Sequence, residues 1–378
     1  MMKATANNGA CNFSVLVAVE DYPGSTSAKA VAHQFVHVRN LYYQVLGIDV
    51  TVLNFSERGA YVHEGIDVVG VEEFEHRNRH YDLLLCHQPN LKHHLPFCKR
   101  HFNEFHGVVF FFHGHEVLKI SQSYPKPYAY LKQSRVTAVL RDAYDELKFQ
   151  VWRRYFGRIK SAASFVFVSR WMYDEFMKYL RVDESFLADR AFIIPNCIGT
   201  PFEVNRYKPV PEPTYDFVTV RGNLDTSKYA LDLVVESALA NPELKYLVIG
   251  KGDFFKHFQK PNNITWLDAT LTHAAIIQQL NQARCALMPT RTDAQGLMMC
   301  EMASFGIPLI TSDVPVCHEV LGRFANVRFI ANDQFGCELS SLISRIPPRC
   351  DDESPYSKEN TIGREVVLMH DIMQGSVL

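Results

Sequence analysis

The sequence predicts an α/β protein built from two Rossmann-like, doubly wound domains that face a central cleft. Three observations predict it. Short, almost continuously apolar segments alternate with amphipathic ones, the pattern of buried parallel strands joined by helices. A proline-rich stretch, KPVPEP at Lys208–Pro213, breaks that alternation, which then restarts. The chain has 378 residues, too many for one ordinary core.

Taken in order, FSVLVAV at Phe13–Val19 reads as the first buried strand. It ends in the turn EDYPGSTS, and a helix follows from about Ser27 to Leu46. Asp49–Phe55, Tyr81–Cys86, Gly107–Phe112, Phe165–Val168 and Phe192–Ile194 continue the strand series. After a linker at Phe202–Pro213 the expected strands are Phe217–Val220, Tyr246–Ile249, Ile264–Trp266, Cys285–Met288 and Pro308–Thr311. Helices between them include Leu231–Ala240 and Leu297–Phe305, and Ile362–Met373 forms a last helix. The expected division is 1–201, 202–355, and a final segment 356–378 whose helix packs back on the first domain. Doubly wound domains in series turn the carboxyl ends of their strands, and so their ligand sites, toward a shared cleft.

Composition narrows the function classes. Hydrophobic residues make up 47% and charged residues 21%, the balance of a folded globular protein. A formal net charge of -2 gives no general attraction to nucleic acid, so no nucleic-acid partner is expected. Nine cysteines fall without CxxC pairs or His/Cys metal spacing, and no apolar leader opens the chain. That fits a reducing cytoplasm without disulfides or structural zinc. Apolar runs such as Val108–Phe112 are of strand length, far short of a membrane span.

The chemistry concentrates in PTRTDAQGLMMCEMASFGIPLITS, Pro289–Ser312. Asp293 and Glu301 flank Gln295, Gly296 and Leu297 at a strand-to-helix junction. Gly296 lets the backbone approach a ligand closely and opens the helix. The N–H groups of residues 295–298 then face an anion, aided by the helix dipole. Glu301 lies about one turn into the helix and leans back toward its start. A carboxylate there suits ribose hydroxyls, and Asp293 suits hydroxyls of a donated sugar. A helix start carrying a solvated acid is the plain alternative.

The D-x7-E spacing followed by MASFGIPLITSD resembles the E-x7-E signature of retaining GT-B glycosyltransferases of family 4 (glycosyl transferases group 1). Here Asp293 stands for the first Glu, Gln295 for Phe and Met302 for Ala. Arg221-Gly222-Asn223 with Lys228 resembles the family's G-R-L-x-x-x-K segment, whose cations hold the nucleotide pyrophosphate. Lys228 falls in register; Asn223 occupies the usual Arg position, and Arg221, on the same face of an extended segment, is the substitute. His113 in FFFHGHEV resembles the family histidine beside the reacting sugar, with His115 as its competitor. Gly24 corresponds to the family's glycine-rich first loop, here Gly24-Ser25. Ser169 with Met172 and the Ile194-Pro195-Asn196 turn match motifs read as structural, a helix cap and an interdomain turn. Gly250-Lys251-Gly252 matches the family's G-x-G after a strand.

The resemblance implies transfer from a nucleoside-diphosphate sugar, a UDP-sugar, to a saccharide or lipid-linked saccharide hydroxyl with retention. It implies no metal and no cofactor beyond the co-substrate, and a role in surface polysaccharide synthesis. Arg153, Arg154, Arg158 and Lys160, interleaved with Trp152, Tyr155 and Phe156, suit peripheral contact with an anionic membrane at its inner face. A solvated helix with one buried stripe fits the same residues. Two rival readings remain open at this level: a GT-B epimerase or phosphorylase, and a non-catalytic GT-B protein that binds glycan or a partner.

Overall fold

The computed structural model describes residues 13–25, 34–131, 134–349 and 354–376. The expected helix at 27–46 is helical over Gln34–Val45; its first part, 27–33, lies outside the described residues.

The first sheet has eight strands: β1 Ser14–Val19, β2 Asp49–Asn54, β3 Ala60–His63, β4 Ile66–Val69, β5 Leu83–His87, β6 Gly107–Phe112, β7 Ala163–Phe167 and β8 Ala191–Ile193. Their order is β3-β4-β2-β1-β5-β6-β7-β8, parallel throughout except for β3 against β4. The second sheet has six: β9 Tyr215–Asn223, β10 Tyr246–Lys251, β11 Ile264–Leu267, β12 Ala283–Met288, β13 Leu309–Ser312 and β14 Val327–Ile330. Its order is β11-β10-β9-β12-β13-β14, all parallel. The strands β1, β5 and β6 are buried along nearly their whole length, as both faces are covered by helices.

In each sheet the winding reverses beside a central strand, between β1 and β5 in one and between β9 and β12 in the other. Loops that leave those strands diverge and open a crevice at their carboxyl ends. Glu20–Ser25 follows β1, whereas 224–230 follows β9 and 289–296 follows β12. The segments carrying Lys228 and Asp293 therefore flank one crevice because of strand order.

Three features depart from the expected element series, the first being the edge strand β14, which follows β13 in the second sheet. A hairpin, β3–β4, turns at Glu64 (φ 46°) and Gly65 (φ 84°), with both central residues left-handed as in a tight hairpin turn. A 25-residue helix, Arg135–Ile159, precedes β7. Its Trp152, Tyr155 and Phe156 are buried in the core against Phe110 and Phe165, so the aromatics expected on a membrane face are interior. Arg153, Arg154 and Arg158 remain on the solvent side. The expected linker begins as a short helix, Thr200–Val204, before the proline-rich segment.

The last helix, Ile362–Met373, joins the core of the first sheet: Ile362, Met369 and Ile372 pack among Val15, Val17 and Val109. Gly107 has no Cβ because one would meet the Ile372 side chain at 2.4 Å. A buried ion pair, Arg39 Nε to Glu365 Oε1 at 3.0 Å, fastens this helix to Gln34–Val45, and the Tyr43 hydroxyl donates to the other Glu365 oxygen. Removing one partner of such a pair leaves an uncompensated buried charge.

Candidate functional site

A cavity of about 280 Å³ lies between the two sheets' carboxyl ends. The first domain contributes His113 and Asn196; the second contributes Arg221, Asp293, Gln295, Gly296 and Leu297. Six of the sequence-selected residues thus meet at one place. Glu301, Lys228 and Gly24 do not line it.

Each lining group is set by its local chain. Gly296 is left-handed (φ 68°) and precedes the helix Leu297–Phe305; a Cβ there would meet Met299 Cε at 2.2 Å. The first-turn N–H groups of Leu297 and Met298 have no acceptor within the helix, and both residues line the cavity. Asp293 bends back to accept the N–H of Ala294 at 2.8 Å, which fixes its carboxylate at the loop's tip.

Arg221 is buried beneath this loop. One terminal nitrogen donates to the Pro289 carbonyl at 2.6 Å, the guanidinium lies 4.6 Å from the Tyr229 ring, and Nε has no hydrogen-bond partner. Desolvation pulls its pKa down, while Tyr229 and Asp293 favour the charged form. A buried cation with unused donors on a cavity wall is built to receive an anion. Lys228 stands behind it. Its ammonium sits over the Tyr229 ring at 4.6 Å and the Tyr124 ring at 5.4 Å. Burial opposes its charge, and Asp293 leads the influences that restore it and raise its pKa. Lys228 lines an adjoining cavity of about 530 Å³ with Tyr124, Arg141 and Asn223. Asn223, itself exposed, accepts the Asp225 N–H at 2.8 Å, so the usual Arg position is spent on a local turn.

His113 follows β6, and the Glu116 carboxylate accepts the N–H groups of His113 and Gly114 at 3.2 and 2.6 Å. Its Nδ1 lies 3.0 Å from Asn196 Oδ1 and its Nε2 3.0 Å from His87 Nδ1. Arg39 also donates to Asn196 Oδ1, at 2.8 Å. A guanidinium can only donate, so that atom is the amide oxygen, and the His113 proton resides on Nδ1. His115, the competitor, is exposed.

The Gln295 amide is engaged within the cavity wall. Its Oε1 accepts the Asn196 N–H at 2.8 Å and its Nε2 donates to the Asn196 carbonyl at 2.9 Å. Its amide is therefore an interdomain clamp instead of a donor contact, because a buried amide takes the partners in reach. Glu301 is 2% exposed. It accepts the Gly199 N–H at 3.0 Å and has His273 3.8 Å away. Burial pushes its pKa up to about 7, only partly offset by the Gly199 hydrogen bond. Gly24 (φ 86°) packs against His63 and Tyr61 at the far side of the first sheet. Beside it Glu20 holds Asn90 and His93, and Asp21 accepts from Ser25, so neither acid is turned to the cavity.

Asn196 is the residue the sequence undervalued. Read as a turn residue, it joins Arg39, His113 and Gln295 through its side chain and both backbone groups. A polar residue after Ile-Pro, held just beyond the half-buried edge strand β8, was the only available signal.

Solved structures with this arrangement extend over nearly the whole chain. Sucrose-phosphate synthase from Thermosynechococcus elongatus superposes with a TM-score of 0.65 at 11% identity, over 96% of this chain and 100% of that one. A glycosyltransferase from Rickettsia africae gives 0.64 at 11% identity, over 96% and 98%. The fold is GT-B.

Sequence comparison adds to the GT-B assignment in the second domain. Residues 218–343 match the family described as Glycosyl transferases group 1. An O-antigen biosynthesis glycosyltransferase, WclY, of Escherichia coli is 28% identical over 107 residues, 26% of this chain. The matched stretch spans 29% of that relative's length. The Anabaena protein HepE, solved in complex with UDP and glucose, superposes with a TM-score of 0.60 at 13% identity, over 95% of each chain.

Proposed function

We propose that the protein is a retaining glycosyltransferase of family 4 that moves a sugar from a nucleoside-diphosphate sugar, a UDP-sugar, to a saccharide or lipid-linked saccharide hydroxyl. One observation carries this reading: Arg221 and the opening turn of the helix Leu297–Phe305 face His113 across the 280 Å³ interdomain cavity. The match to group 1 glycosyltransferases covers the half of the site that would bind the nucleotide.

The leaving diphosphate gathers negative charge as the glycosidic bond breaks. Arg221 and the N–H groups of Leu297 and Met298 would act as preorganised donors that lower the barrier, with Lys228 adding its charge from the adjoining cavity. No metal or cofactor is assigned a part. Asp293 takes hydroxyls of the donated sugar. His113, with its proton on Nδ1, offers Nε2 to a sugar hydroxyl in exchange for His87. Glu301 is the residue for the ribose, reached once the Gly199–His273 contact opens.

The E. coli relative's name, an O-antigen biosynthesis glycosyltransferase, supports a role in surface polysaccharide synthesis. No helix among the described residues is long and apolar enough to cross a bilayer. Peripheral contact is assigned to the outer face of Arg135–Ile159. There Val136, Leu140, Tyr144 and Leu147 are exposed in one stripe that continues into Arg154 and Arg158.

A thermal-shift series with UDP-, GDP- and ADP-sugars tests the donor, since a ligand that binds only the folded state must raise the melting temperature. A rise with one nucleotide class that Arg221→Ala abolishes is expected. A flat response to all three overturns the reading.

A further inference from the structure

Away from the donor cavity, three metal-binding side chains converge at the edge of the first sheet. His37 comes from the helix Gln34–Val45, and His63 and Glu64 from the β3–β4 turn. One ligand atom from each lies within 4.8 Å of the others. His37 lies 27 residues before Glu64 in the chain, so no local spacing motif joins it to the adjacent His63-Glu64 pair.

We infer that His37, His63 and Glu64 form a site for a borderline divalent transition-metal ion of the zinc class. Several independent features fit that chemistry. His37 Nε2 and Glu64 Oε2 are 3.2 Å apart. Two ligands of a tetrahedral zinc, each about 2.0–2.1 Å from the ion, stand about 3.3 Å from one another. The His37 and His63 rings lie 4.7 Å apart at 53°, so a small rotation of the half-buried His63 brings its nitrogen to the same centre.

The supporting groups orient His37. Tyr22 Oη lies 2.8 Å from His37 Nδ1, and Asn40 Nδ2 donates to the same hydroxyl at 3.0 Å. A metal-bound histidine characteristically donates its other ring N–H to such an oxygen, which fixes the tautomer and leaves Nε2 to the ion. The turn is held tightly as well. Glu64 adopts a left-handed conformation uncommon for a residue with a side chain, and Gly24 leaves room for His63, since a Cβ there would meet His63 Nδ1 at 2.8 Å.

Two imidazoles and a carboxylate favour zinc, cobalt or nickel over calcium or magnesium, which take oxygen ligands. With the Glu64 side chain 63% exposed, the remaining coordination position faces solvent. The ion would clip the β3–β4 hairpin to the helix Gln34–Val45 and to the loop after β1. It would lie apart from the diphosphate groups and leave them untouched.

Cobalt(II) titration of the metal-stripped full chain tests the assignment. One equivalent is expected to bind with the intense visible absorption of a four-coordinate ion, and zinc should displace it. His63→Ala and Glu64→Gln, both on the β3–β4 turn, are each expected to abolish that band while leaving circular dichroism unchanged. Tyr22→Phe should weaken zinc binding roughly tenfold, the effect of losing an orienting partner. A chain that develops no such band, or a band equally strong in both turn variants, overturns the site. Donor-induced thermal shifts in EDTA report on the transferase reading separately, because they need none of these three residues.

Discussion

Gln295 holds the peptide unit of Asn196 from both sides, accepting its N–H at 2.8 Å and donating to its carbonyl at 2.9 Å. The side chain belongs to the nucleotide-side domain and the peptide to the strand-exit turn of the other. Asn196 also holds His113 through Oδ1, so the position of Gln295 is transmitted to the imidazole. Gln295→Ala should cost about 1–3 kcal/mol, because it strands two buried backbone groups. It should also lower kcat more than it weakens donor binding. Gln295→Glu keeps the bond from the Asn196 N–H but sets a carboxylate oxygen against its carbonyl, and should be the more damaging. Denaturant melts with steady-state kinetics decide this; unchanged kcat in a folded Gln295→Ala chain would separate the clamp from catalysis.

Arg221 is the cation with donors to spare, and its replacement should be felt at the donor. Charge-assisted hydrogen bonds contribute about 1.5–3 kcal/mol each, so Arg221→Ala should weaken nucleotide-sugar binding by about 10- to 100-fold. Arg221→Lys should recover only part, because a point charge does not reproduce a planar fork. Asn223→Ala, which loses only a turn contact to Asp225, should bind donor normally. Calorimetric titration of the three variants checks the order. Equal losses at Arg221 and Asn223 would return the phosphate role to the family position.

These residues show what the sequence could and could not disclose. The helices Leu231–Ala240, Leu297–Phe305 and Ile362–Met373 are found at the expected boundaries, because an apolar face is a local signal and Gly296 and Gly306 bound the second of them. The β3–β4 hairpin was not legible: its strands are four residues each, and β3 alternates exposed and half-buried positions. Convergence of His113, Arg221 and Asp293 could be anticipated from motif register. The locking of the Gln295 amide and the burial of Glu301 could not, since they depend on Asn196 and Gly199, which lie 99 and 102 residues earlier in the chain. A basic helix with interleaved aromatics looked like a membrane face. Its Trp152 and Phe156 fill the core because the helix is long enough to bury its last turns and expose its first.

That exposed first half supports a distinct expectation. Leu140 and Leu147 are 65% and 55% exposed on one stripe of Arg135–Ile159. An apolar stripe ending in arginines should bind anionic vesicles, with each basic residue near the surface contributing about 1 kcal/mol. The paired change Leu140→Asp with Leu147→Asp should abolish co-sedimentation with phosphatidylglycerol-containing vesicles and leave soluble-acceptor activity intact. Arg154→Glu with Arg158→Glu should weaken it in a salt-sensitive way. Wild-type protein that stays in the supernatant at low salt would remove the membrane from the account.

Glu301 gives the fold a pH dependence whose direction follows from its burial. Its carboxyl is pushed up to about 7 from an ordinary value of 4.5. Between those values the folded chain keeps a proton that the unfolded chain has released, so this group's stabilising effect is complete below 4.5 and lost as pH rises to 7. At about 1.36 kcal/mol for each pKa unit, the whole loss is on the order of 3 kcal/mol. Glu301→Gln keeps an oxygen for the Gly199 N–H and carries no proton to lose. The variant should therefore match wild type near pH 4.5 and exceed it increasingly up to pH 7, with a constant difference beyond. Donor binding should move the opposite way, since ribose hydroxyls donate better to an ionised carboxylate than to an amide. Urea melts from pH 5 to 8 measure the first effect and nucleotide titration the second. A stability difference that does not vary with pH would mean that Glu301 stays ionised across the range.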